Sequence, residues 1–445
     1  MGKKKIFVIF ALVIVLLIGW VLAIKAVTRM DEIKKQNKLI AQADSFMQRE
    51  LYVRAIPLYE EAGKIKTKDD RAFALETRLM QAYLLHEDYE KYAKIVEKRA
   101  DNNTATVDDY KNTFNYYVSN NRMEKAFTII HKGIDQTDDA DLKDLYEQYR
   151  FIYKLRNTRY GYVQPTVDNA IMPAFDGEKW GYITSGGGGV LSPKYDEATA
   201  FTSDGLAAVL KDGEYMVVTV DGDKYGRDDN PNASRIEGLA YVFGSCIIAK
   251  KDGKYGFFDY DFNQMMPTLQ FDEVTRASYG VIVAKNGNEW GIYSLGDGSL
   301  VKGGIEDVAV NTYGSVFSEG RGMIKIGGKW HLVNTSGEDI ISETFDDVRA
   351  PESEGYIAVA DDAGRWGFIN DQGEHVIECK YLDAFSFSDD VAAVKTYNDR
   401  WVYITAKDVP ISEENFEEAM PFHGGVGQVY ENGMAYLIIF NYYGQ

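Results

Sequence analysis

Cysteine is almost absent from this chain of 445 residues. Only Cys246 and Cys379 occur, and neither lies in a CxxC pair or at another metal-ligand spacing. Two such cysteines cannot supply a disulfide framework, and we expect both to be buried, reduced thiols. A chain of this length can instead bury the cores of two or three domains.

Positive charge is also scarce. The formal net charge is −19, although residues 1–30 contain five basic residues and no acidic one. So acidic a surface repels nucleic acid and anionic lipid, which argues against polyanion-binding functions and predicts no nucleic-acid partner. Aromatic residues are plentiful at 13 %, including 31 tyrosines, as is typical of strand-rich folds.

Charge is missing altogether from one stretch, Ile6–Ile24, which also lacks proline. A helix of this length would cross roughly 28 Å of hydrocarbon, enough to span a bilayer. The preceding residues 1–5 contain three lysines and are predicted to be a cytoplasmic tail. The pattern predicts a single-pass protein of the cell membrane whose bulk is extracytoplasmic. The alternative is a cleaved signal peptide, with a small-residue site at 21–23.

Proline and glycine are rare in the next segment, residues 31–157, where proline occurs once and glycine twice. Apolar residues recur there at helical spacing. Small residues at Ala43 and Ala55, beside Phe46 and Tyr59, give a pattern that resembles tetratricopeptide repeats. We expect three helix pairs and a capping helix over residues 142–155. The alternative is a plain helical stalk.

The remaining residues, 158–445, repeat one pattern. Aromatic anchors recur every 35 to 40 residues. They are Trp180, Tyr215, Tyr255, Trp290, Trp330, Trp366, Trp401 and Tyr436. In most copies an apolar residue lies 15 residues after the anchor, usually followed by an acid; three copies have another aromatic 21 residues after the anchor. A run of small or branched residues then precedes the next anchor.

These features resemble the bacterial WG-repeat family, in which W-G-Y/F-I is followed by a turn, V-I, Y/F-D and L-A-A-V. Each copy contains about four short strand-like runs bounded by glycines, which predicts a β-propeller. We expect each blade to begin with the small-residue strand and to place the anchor on its second strand. Seven full units leave half-units at both ends, so Tyr160–Val163 and Tyr436–Phe440 are expected to share a composite eighth blade. A seven-bladed ring and an open β-solenoid are the alternatives.

The tryptophans of the repeat are expected to pack between blades and not to form a sugar-stacking platform. The acid that follows Tyr or Phe recurs in most copies, so it is predicted to cap turns or link strands. Both interpretations assign the repeated residues to the scaffold.

Motifs for chemistry are weak. Residues 221–232 partly match a calcium loop but coincide with a repeat turn, and residues 184–189 form a glycine-rich hairpin turn. His331, His375 and His423 lie in different repeats, and no motif pairs a serine with a histidine. The sequence therefore predicts no catalytic, cofactor-binding or metal residue, and no cofactor.

Taken together, these patterns predict a multidomain chain: a transmembrane helix, a helical domain and an all-β ring. The predicted function is a membrane-anchored, non-enzymatic scaffold that recognises a protein or cell-envelope ligand. The alternative is a carbohydrate- or cell-wall-active enzyme built on the propeller.

Overall fold

The computed structural model describes residues 2–66, 69–165, 170–226, 231–244, 246–266, 268–353 and 355–441. The side chains of residues 2–15, 18, 19, 22–24 and 26 lie outside this description. The chain divides into two compact units, residues 1–149 and 150–445.

Helices form the first unit. Within the described residues they are α1 (Gly2–Met47), α2 (Tyr52–Gly63), α3 (Asp69–Leu85), α4 (Tyr89–Asp101), α5 (Val107–Ser119), α6 (Met123–Thr137) and α7 (Ala140–Arg150). Side-chain caps begin three of them: Asp88 accepts from the Lys91 N–H before α4, and Asp139 accepts from the Leu142 N–H before α7. Thr106 forms a capping box with Asp109 before α5.

The predicted transmembrane helix over Ile6–Ile24 is wrong. No helix in the described part of the chain is both long enough and apolar enough to cross a membrane. The stretch is not an element of its own, because its backbone is the first part of α1, a helix of 46 residues. Most of its side chains lie outside the described residues. The predicted cytoplasmic tail, membrane anchoring and single-pass localisation are corrected with it.

Tyrosine–carboxylate hydrogen bonds connect successive helices of the first unit. The Tyr59 hydroxyl donates to Asp44 at 2.5 Å, and the Tyr83 hydroxyl donates to Glu60 at 2.7 Å. Ala43 and Ala55 are fully buried, so α1 and α2 approach closely where the small residues were expected to allow it. Burial and the neighbouring carboxylates raise the pKa of both tyrosines, which stay neutral donors.

Short antiparallel strands form the second unit. A lone strand, β1 (Tyr153–Asn157), precedes them. Blade 1 contains β2 (Tyr162–Val163), β3 (Ile171–Phe175), β4 (Trp180–Thr184) and β5 (Gly189–Tyr195). Blade 2 contains β6 (Glu197–Ala198), β7 (Leu206–Lys211), β8 (Glu214–Thr219) and β9 (Lys224–Tyr225). Blade 3 contains β10 (Gly238–Phe243), β11 (Cys246–Lys251) and β12 (Lys254–Phe258), after a short 3₁₀ turn, Ala233–Arg235.

The next three blades repeat this plan. Blade 4 contains β13 (Glu273–Val274), β14 (Val281–Asn286), β15 (Glu289–Ser294) and β16 (Leu300–Ile305). Blade 5 contains β17 (Asp307–Val308), β18 (Phe317–Ser318), β19 (Arg321–Ile326), β20 (Lys329–Asn334) and β21 (Asp339–Phe345). Blade 6 contains β22 (Asp347–Val348), β23 (Ile357–Ala360), β24 (Trp366–Ile369) and β25 (His375–Tyr381).

The last two blades bring the chain back to its first strand. Blade 7 contains β26 (Asp383–Ala384), β27 (Val391–Lys395) and β28 (Trp401–Thr405). Blade 8 contains β29 (Glu418–Ala419), β30 (Val426–Glu431) and β31 (Met434–Phe440), and its outer strand is β1. The composite eighth blade is therefore confirmed.

The strand that completes blade 8 is not the one expected from the sequence. β1 pairs with β31 in the register Tyr153↔Phe440 to Asn157↔Tyr436, whereas Tyr162 and Val163 pair with β3 in blade 1. The predicted capping helix over residues 142–155 is also too long, because α7 ends at Arg150. That early end leaves the following residues free to form a strand.

The predicted starting point of each blade, the small-residue strand, is wrong by one strand. Every blade except blade 3 opens with a two-residue strand, and the small-residue strand follows it; blade 3 opens with the six-residue strand β10. The segment expected to be a fourth strand is divided between two blades: Phe416 bridges Trp401 in blade 7, and Glu418–Ala419 opens blade 8.

Eight apolar clusters hold the blades together, one between each pair of neighbours. The decisive cluster joins the last blade to the first, through Leu437 and Ala435 against Met172 and Val163. Because this contact closes the circle, the structure is an eight-bladed β-propeller, and the seven-bladed and open-solenoid alternatives are wrong.

The anchor tryptophans lie in these clusters. Trp330, Trp366 and Trp401 are each buried between consecutive blades, as predicted, while Trp180 and Trp290 are half-buried. Basic side chains cover several of the rings: Lys285, Lys325 and Arg349 lie 5.7, 5.7 and 5.0 Å from the ring centroids of Trp290, Trp330 and Trp366. Each of these contacts adds a cation–π attraction to the packing of the tryptophan.

The recurring acids link neighbouring blades. Asp272 Oδ2 accepts from the Gly287 N–H at 2.8 Å, in the hairpin turn of the next blade. Glu306 accepts from the Gly328 N–H, and Glu417 accepts from the Asn432 N–H, in the corresponding turns. The Lys254 ammonium and this backbone donor hold the pKa of Asp272 below its ordinary value. The prediction that these acids cap turns and link strands is confirmed.

The two cysteines are free thiols, Cys246 on β11 in blade 3 and Cys379 on β25 in blade 6. Burial raises the pKa of Cys246 to about 11, and it also raises the pKa of Cys379. Both thiols are therefore poor nucleophiles at neutral pH.

Candidate functional site

Four polar side chains from four blades meet at one end of the ring. Thr312, Glu352, Ser388 and His423 belong to blades 5, 6, 7 and 8, in the loops between the first short strand and the small-residue strand. Each lies 22 residues after its aromatic anchor. We call these four residues the axial cluster.

Hydrogen bonds connect the whole cluster. Thr312 Oγ1 donates to Glu352 Oε2 at 2.6 Å and lies 2.8 Å from His423 Nε2. On the other edge of the imidazole, Nδ1 lies 3.2 Å from Ser388 Oγ. Glu352 also accepts from the Thr312 backbone N–H at 3.1 Å. Every one of these contacts joins different blades.

The contact between Thr312 and His423 crosses the ring. These residues lie in blades 5 and 8, with blades 6 and 7 between them along the chain. The loop that carries Thr312 spans residues 309–316 between β17 and β18, and it reaches the axis because the anchor spacing here is 40 residues. The ring of Tyr313 lies 4.0 Å from that of His423, centroid to centroid. The loop therefore reaches from blade 5 to blade 8.

The cluster has the members of a Ser-His-Glu triad but not its arrangement. The Ser388 hydroxyl donates its proton to the Phe422 carbonyl, so its oxygen can only accept from His423. Thr312 donates to Glu352 in the same way, and His423 Nε2 lies 3.5 Å from that carboxylate. Ser388 is 1 % exposed. A serine that is buried and holds no proton toward the imidazole cannot act as the nucleophile of a triad.

This cluster was not predicted from the sequence. His423 lies in a different repeat from His331 and His375, and no motif pairs it with a serine, whereas the structure places it beside Ser388. The available signal was repeat register: in blades 2, 7 and 8 the residue after the inner aromatic, at Phe201, Phe387 and Phe422, is Thr202, Ser388 or His423. Side chains at one register position of a ring lie at one depth along its axis.

A cavity of about 260 Å³ adjoins the axial cluster. Glu352 and Tyr313 line its inner side, and Tyr279 and Arg276 of blade 4 line its outer side. Tyr279 is 58 % exposed, and its hydroxyl accepts from the Glu319 N–H at 2.7 Å. Its φ of 50° is a left-handed conformation that bulky residues rarely adopt. The same turn position holds Glu319, Asp389 and Gly424 in blades 5, 7 and 8.

We expect the hydrogen bonds of the Thr312 hydroxyl with Glu352 and His423 to stabilise the ring, and Thr312→Val tests this expectation. The substitution keeps the side-chain shape but leaves Glu352 and His423 without their shared hydroxyl. Glu352 keeps its hydrogen bond from the Thr312 backbone N–H, but His423 Nε2 loses its partner hydroxyl. An unsatisfied buried group costs about 1–3 kcal/mol, so the free energy of unfolding should fall by about that amount in urea titration. Thr312→Ser, which retains the hydroxyl, should stay close to the wild type. Equal stability of the valine and serine variants would contradict the role of the bridge.

The other motifs considered in the sequence remain apart. Residues 184–189 form the β4–β5 turn, where Thr184 Oγ1 accepts from the Gly188 N–H at 3.0 Å. Of the calcium-like stretch 221–232, residues 227–230 lie outside the described residues. His331 pairs with Asp339 at 3.1 Å, and His375 is exposed at the start of β25. Within the described ranges no group of three His, Cys, Asp or Glu side chains is placed to hold a metal ion.

Two stretches of the ring match a known family model. Residues 180–215 and 366–401 match the model described as a WG containing repeat. They extend from anchor to anchor, beginning in blades 1 and 6, and they support the resemblance seen in the sequence at these two positions. A search of curated proteins finds no match.

Solved structures with a detectable likeness share little sequence with this chain. Hsv2 of Kluyveromyces lactis is 11 % identical over 62 % of this chain and 96 % of its own, with a TM-score of 0.37. Sqt1 of Saccharomyces cerevisiae is 10 % identical over 64 % of this chain and 97 % of its own, with a TM-score of 0.39. PorZ of Porphyromonas gingivalis, a bacterial surface component of the type-IX secretion system, is 10 % identical over 62 % and 42 %, with a TM-score of 0.30.

Proposed function

We propose that this protein is a non-enzymatic scaffold that binds a protein partner on the face of the ring that carries the axial cluster. The observation that supports this most strongly is Tyr279. This aromatic side chain occupies a left-handed turn position and is more than half exposed at the rim of a cavity, so most of its ring surface is not used in packing. Tyrosine is among the residues that most often dominate protein–protein binding energy.

The surroundings of Tyr279 indicate the charge of the partner. Acidic turn residues of the same face include Glu319 and Asp389, and Glu352 lines the cavity together with one basic residue, Arg276. An acidic rim around an exposed tyrosine suits a basic or neutral protein surface, and it repels polyanions. The helical unit is a further surface of the kind that helical hairpins use for recognition, and we propose it as tetratricopeptide-like.

The alternative of a glycan-active enzyme gains no support from the axial cluster. Such an enzyme uses two carboxylates beside the scissile bond, one as acid and one as base or nucleophile. The Glu352 carboxylate accepts from Thr312 twice and is 4 % exposed. It is better suited to hold the loop than to protonate a substrate.

Replacing Tyr279 by glycine separates binding from folding. Tyr279→Gly removes the exposed hydrogen bond from the Glu319 N–H, but glycine adopts positive φ without strain, so the melting temperature should change little. Because the variant removes the exposed ring, we expect at least tenfold less partner captured by the immobilised full-length chain from extracts of its source cells, quantified by mass spectrometry.

Tyr397→Ala is the matched control, because Tyr397 is 72 % exposed in the hairpin turn between β27 and β28, at the opposite end of the blades. Its capture profile should equal that of the wild type. If Tyr279→Gly keeps all partners that the wild type captures, this face is not the binding surface.

A further inference from the structure

A second cavity lies where the ring closes. Its volume is about 510 Å³, and it lies between the chain that follows β1 of blade 8 and strands β4 and β5 of blade 1. Arg156, Arg159 and Tyr160 line one side, and Gly187 and Asp176 line the other. We call it the seam cleft.

The seam cleft is basic in a protein that is strongly acidic. Residues 151–160 contain Lys154, Arg156 and Arg159 and no acid, although the chain carries a net charge of −19. In the part of the chain that the structure describes, neither arginine of the cleft forms an ion pair or a side-chain hydrogen bond. Other arginines of the ring are paired: Arg321 with Asp371, Arg349 with Asp383, Arg365 with Asp361 and Arg400 with Glu431.

The apolar stem of Arg156 is packed against the protein, while its guanidinium forms no ion pair with a described residue. A Cβ atom added to Gly187 would lie 2.8 Å from Arg156 Cγ, so the arginine stem packs directly on the glycine backbone. The φ of Gly187 is 80°, which also favours glycine. The stem therefore crosses from blade 8 to blade 1, while the guanidinium remains exposed.

Arg159 is held by a different device. Its φ is 67°, a left-handed conformation, and Asn157 Oδ1 accepts from its backbone N–H at 2.8 Å. The neighbouring Thr158 hydroxyl donates to the Ala435 carbonyl at 2.6 Å, and the Ala435 N–H donates to the Tyr160 carbonyl at 2.8 Å. These bonds fix the loop to blade 8, so the orientation of the Arg159 backbone is set before any ligand arrives.

One carboxylate, that of Asp176, also lines the cleft. It accepts from the backbone N–H groups of Lys179 and Glu178 at 2.8 and 2.9 Å, which hold its pKa below the ordinary value. The Asp176 carboxylate is thus hydrogen-bonded within its own turn and is not paired with either arginine. The cleft contains two positive charges and one negative charge. The cleft therefore has a net positive charge and several fixed donors.

We propose that the seam cleft binds oxyanion groups, carboxylate or phosphoryl, on an extended peptide segment of a protein partner. Arginine recognises both groups through two parallel N–H donors. The cleft is much larger than a single oxyanion and is open to solvent. A peptide could therefore place one anionic side chain in the cleft while its backbone continues on either side. That the ligand is a protein rests on the proposed scaffold function, but the site is separate from Tyr279.

Defined peptides test the proposal with the full-length chain at low ionic strength. Three fluorescein-labelled peptides of equal length carry alternating Glu, phosphoserine or Gln between glycines, and binding is followed by fluorescence anisotropy. We expect the Glu peptide, the phosphoserine peptide or both to bind at least tenfold more tightly than the Gln peptide. Which of the two binds identifies the oxyanion.

Arg156→Gln should weaken that binding at least tenfold. Arg156→Lys, which keeps the charge but loses the paired donors, should give an intermediate affinity. Arg235→Gln is the matched control, since it removes the same charge from another exposed arginine of the ring and should leave binding unchanged. Tyr279→Gly should also leave it unchanged, so failure of the proposed partner face and failure of the seam cleft are told apart.

Three results would overturn the proposal. The charged peptides could bind no better than the Gln peptide, or Arg156→Gln and Arg235→Gln could have the same effect. Anionic lipid vesicles could bind in an Arg156-dependent manner while every peptide failed, which would assign the cleft to a lipid surface.

Discussion

A chain that ends after Gly433 is expected to lose the whole ring and not only one blade. The truncation removes all of β31, which lies between β30 and β1 in blade 8. Leu437, Ile438 and Phe440 are fully buried in that strand. Burial of each such side chain contributes about 1.5–3 kcal/mol, and their sum approaches the total stability of an ordinary domain.

The loss should spread because β31 serves both neighbours of blade 8. Leu437 packs toward blade 1, while Ile438 and Phe440 pack toward blade 7. Without β31, β1 has no partner strand and the contact that closes the circle disappears. Both open ends would expose unpaired strand edges.

Circular dichroism and urea unfolding measure this outcome. We expect the truncated chain to lose its strand signal and its cooperative unfolding transition, whereas a chain ending after Asn441 keeps both. A truncated ring that unfolds in the same cooperative transition, shifted by less than about 1 kcal/mol, would show that the blades are independent of closure.

The repeat could be read from the sequence because each blade buries the same side chains at the same offsets. Trp366 and its equivalents recur because every interface between blades presents the same space to fill. β1 could not be recognised in the same way. As the outer strand of a blade, its five residues show one half-buried position followed by four exposed ones, so no alternation marks it as a strand.

The axial cluster could not be predicted from the sequence for a different reason. Thr312 and His423 are 111 residues apart, and their contact exists only because the ring closes and one loop crosses its axis. No motif spans that distance. The seam cleft is similar, since Arg156 and Gly187 meet only through the strand that completes blade 8.

Trp366→Ala is expected to lower the free energy of unfolding by about 3–5 kcal/mol, the range measured for large-to-small changes in well-packed cores. Trp366 is 7 % exposed and packs with residues of blades 6 and 7, including Ala384 and Val394. Arg349 lies 5.0 Å from the ring centroid and also pairs with Asp383 at 2.7 Å. Removing the indole leaves a cavity that this paired guanidinium cannot fill without breaking its own contacts.

The equivalent tryptophan of blade 1 provides the control. Trp180 is only half-buried, so Trp180→Ala should cost clearly less than Trp366→Ala in the same urea titration. The larger loss of stability for Trp366→Ala follows if the anchor tryptophans stabilise the ring by being buried. If the anchors instead formed a platform for sugars, Trp366→Ala would leave the unfolding transition in place and abolish glycan binding. A half-buried tryptophan would then matter more than a buried one, because only an accessible ring can stack on a ligand.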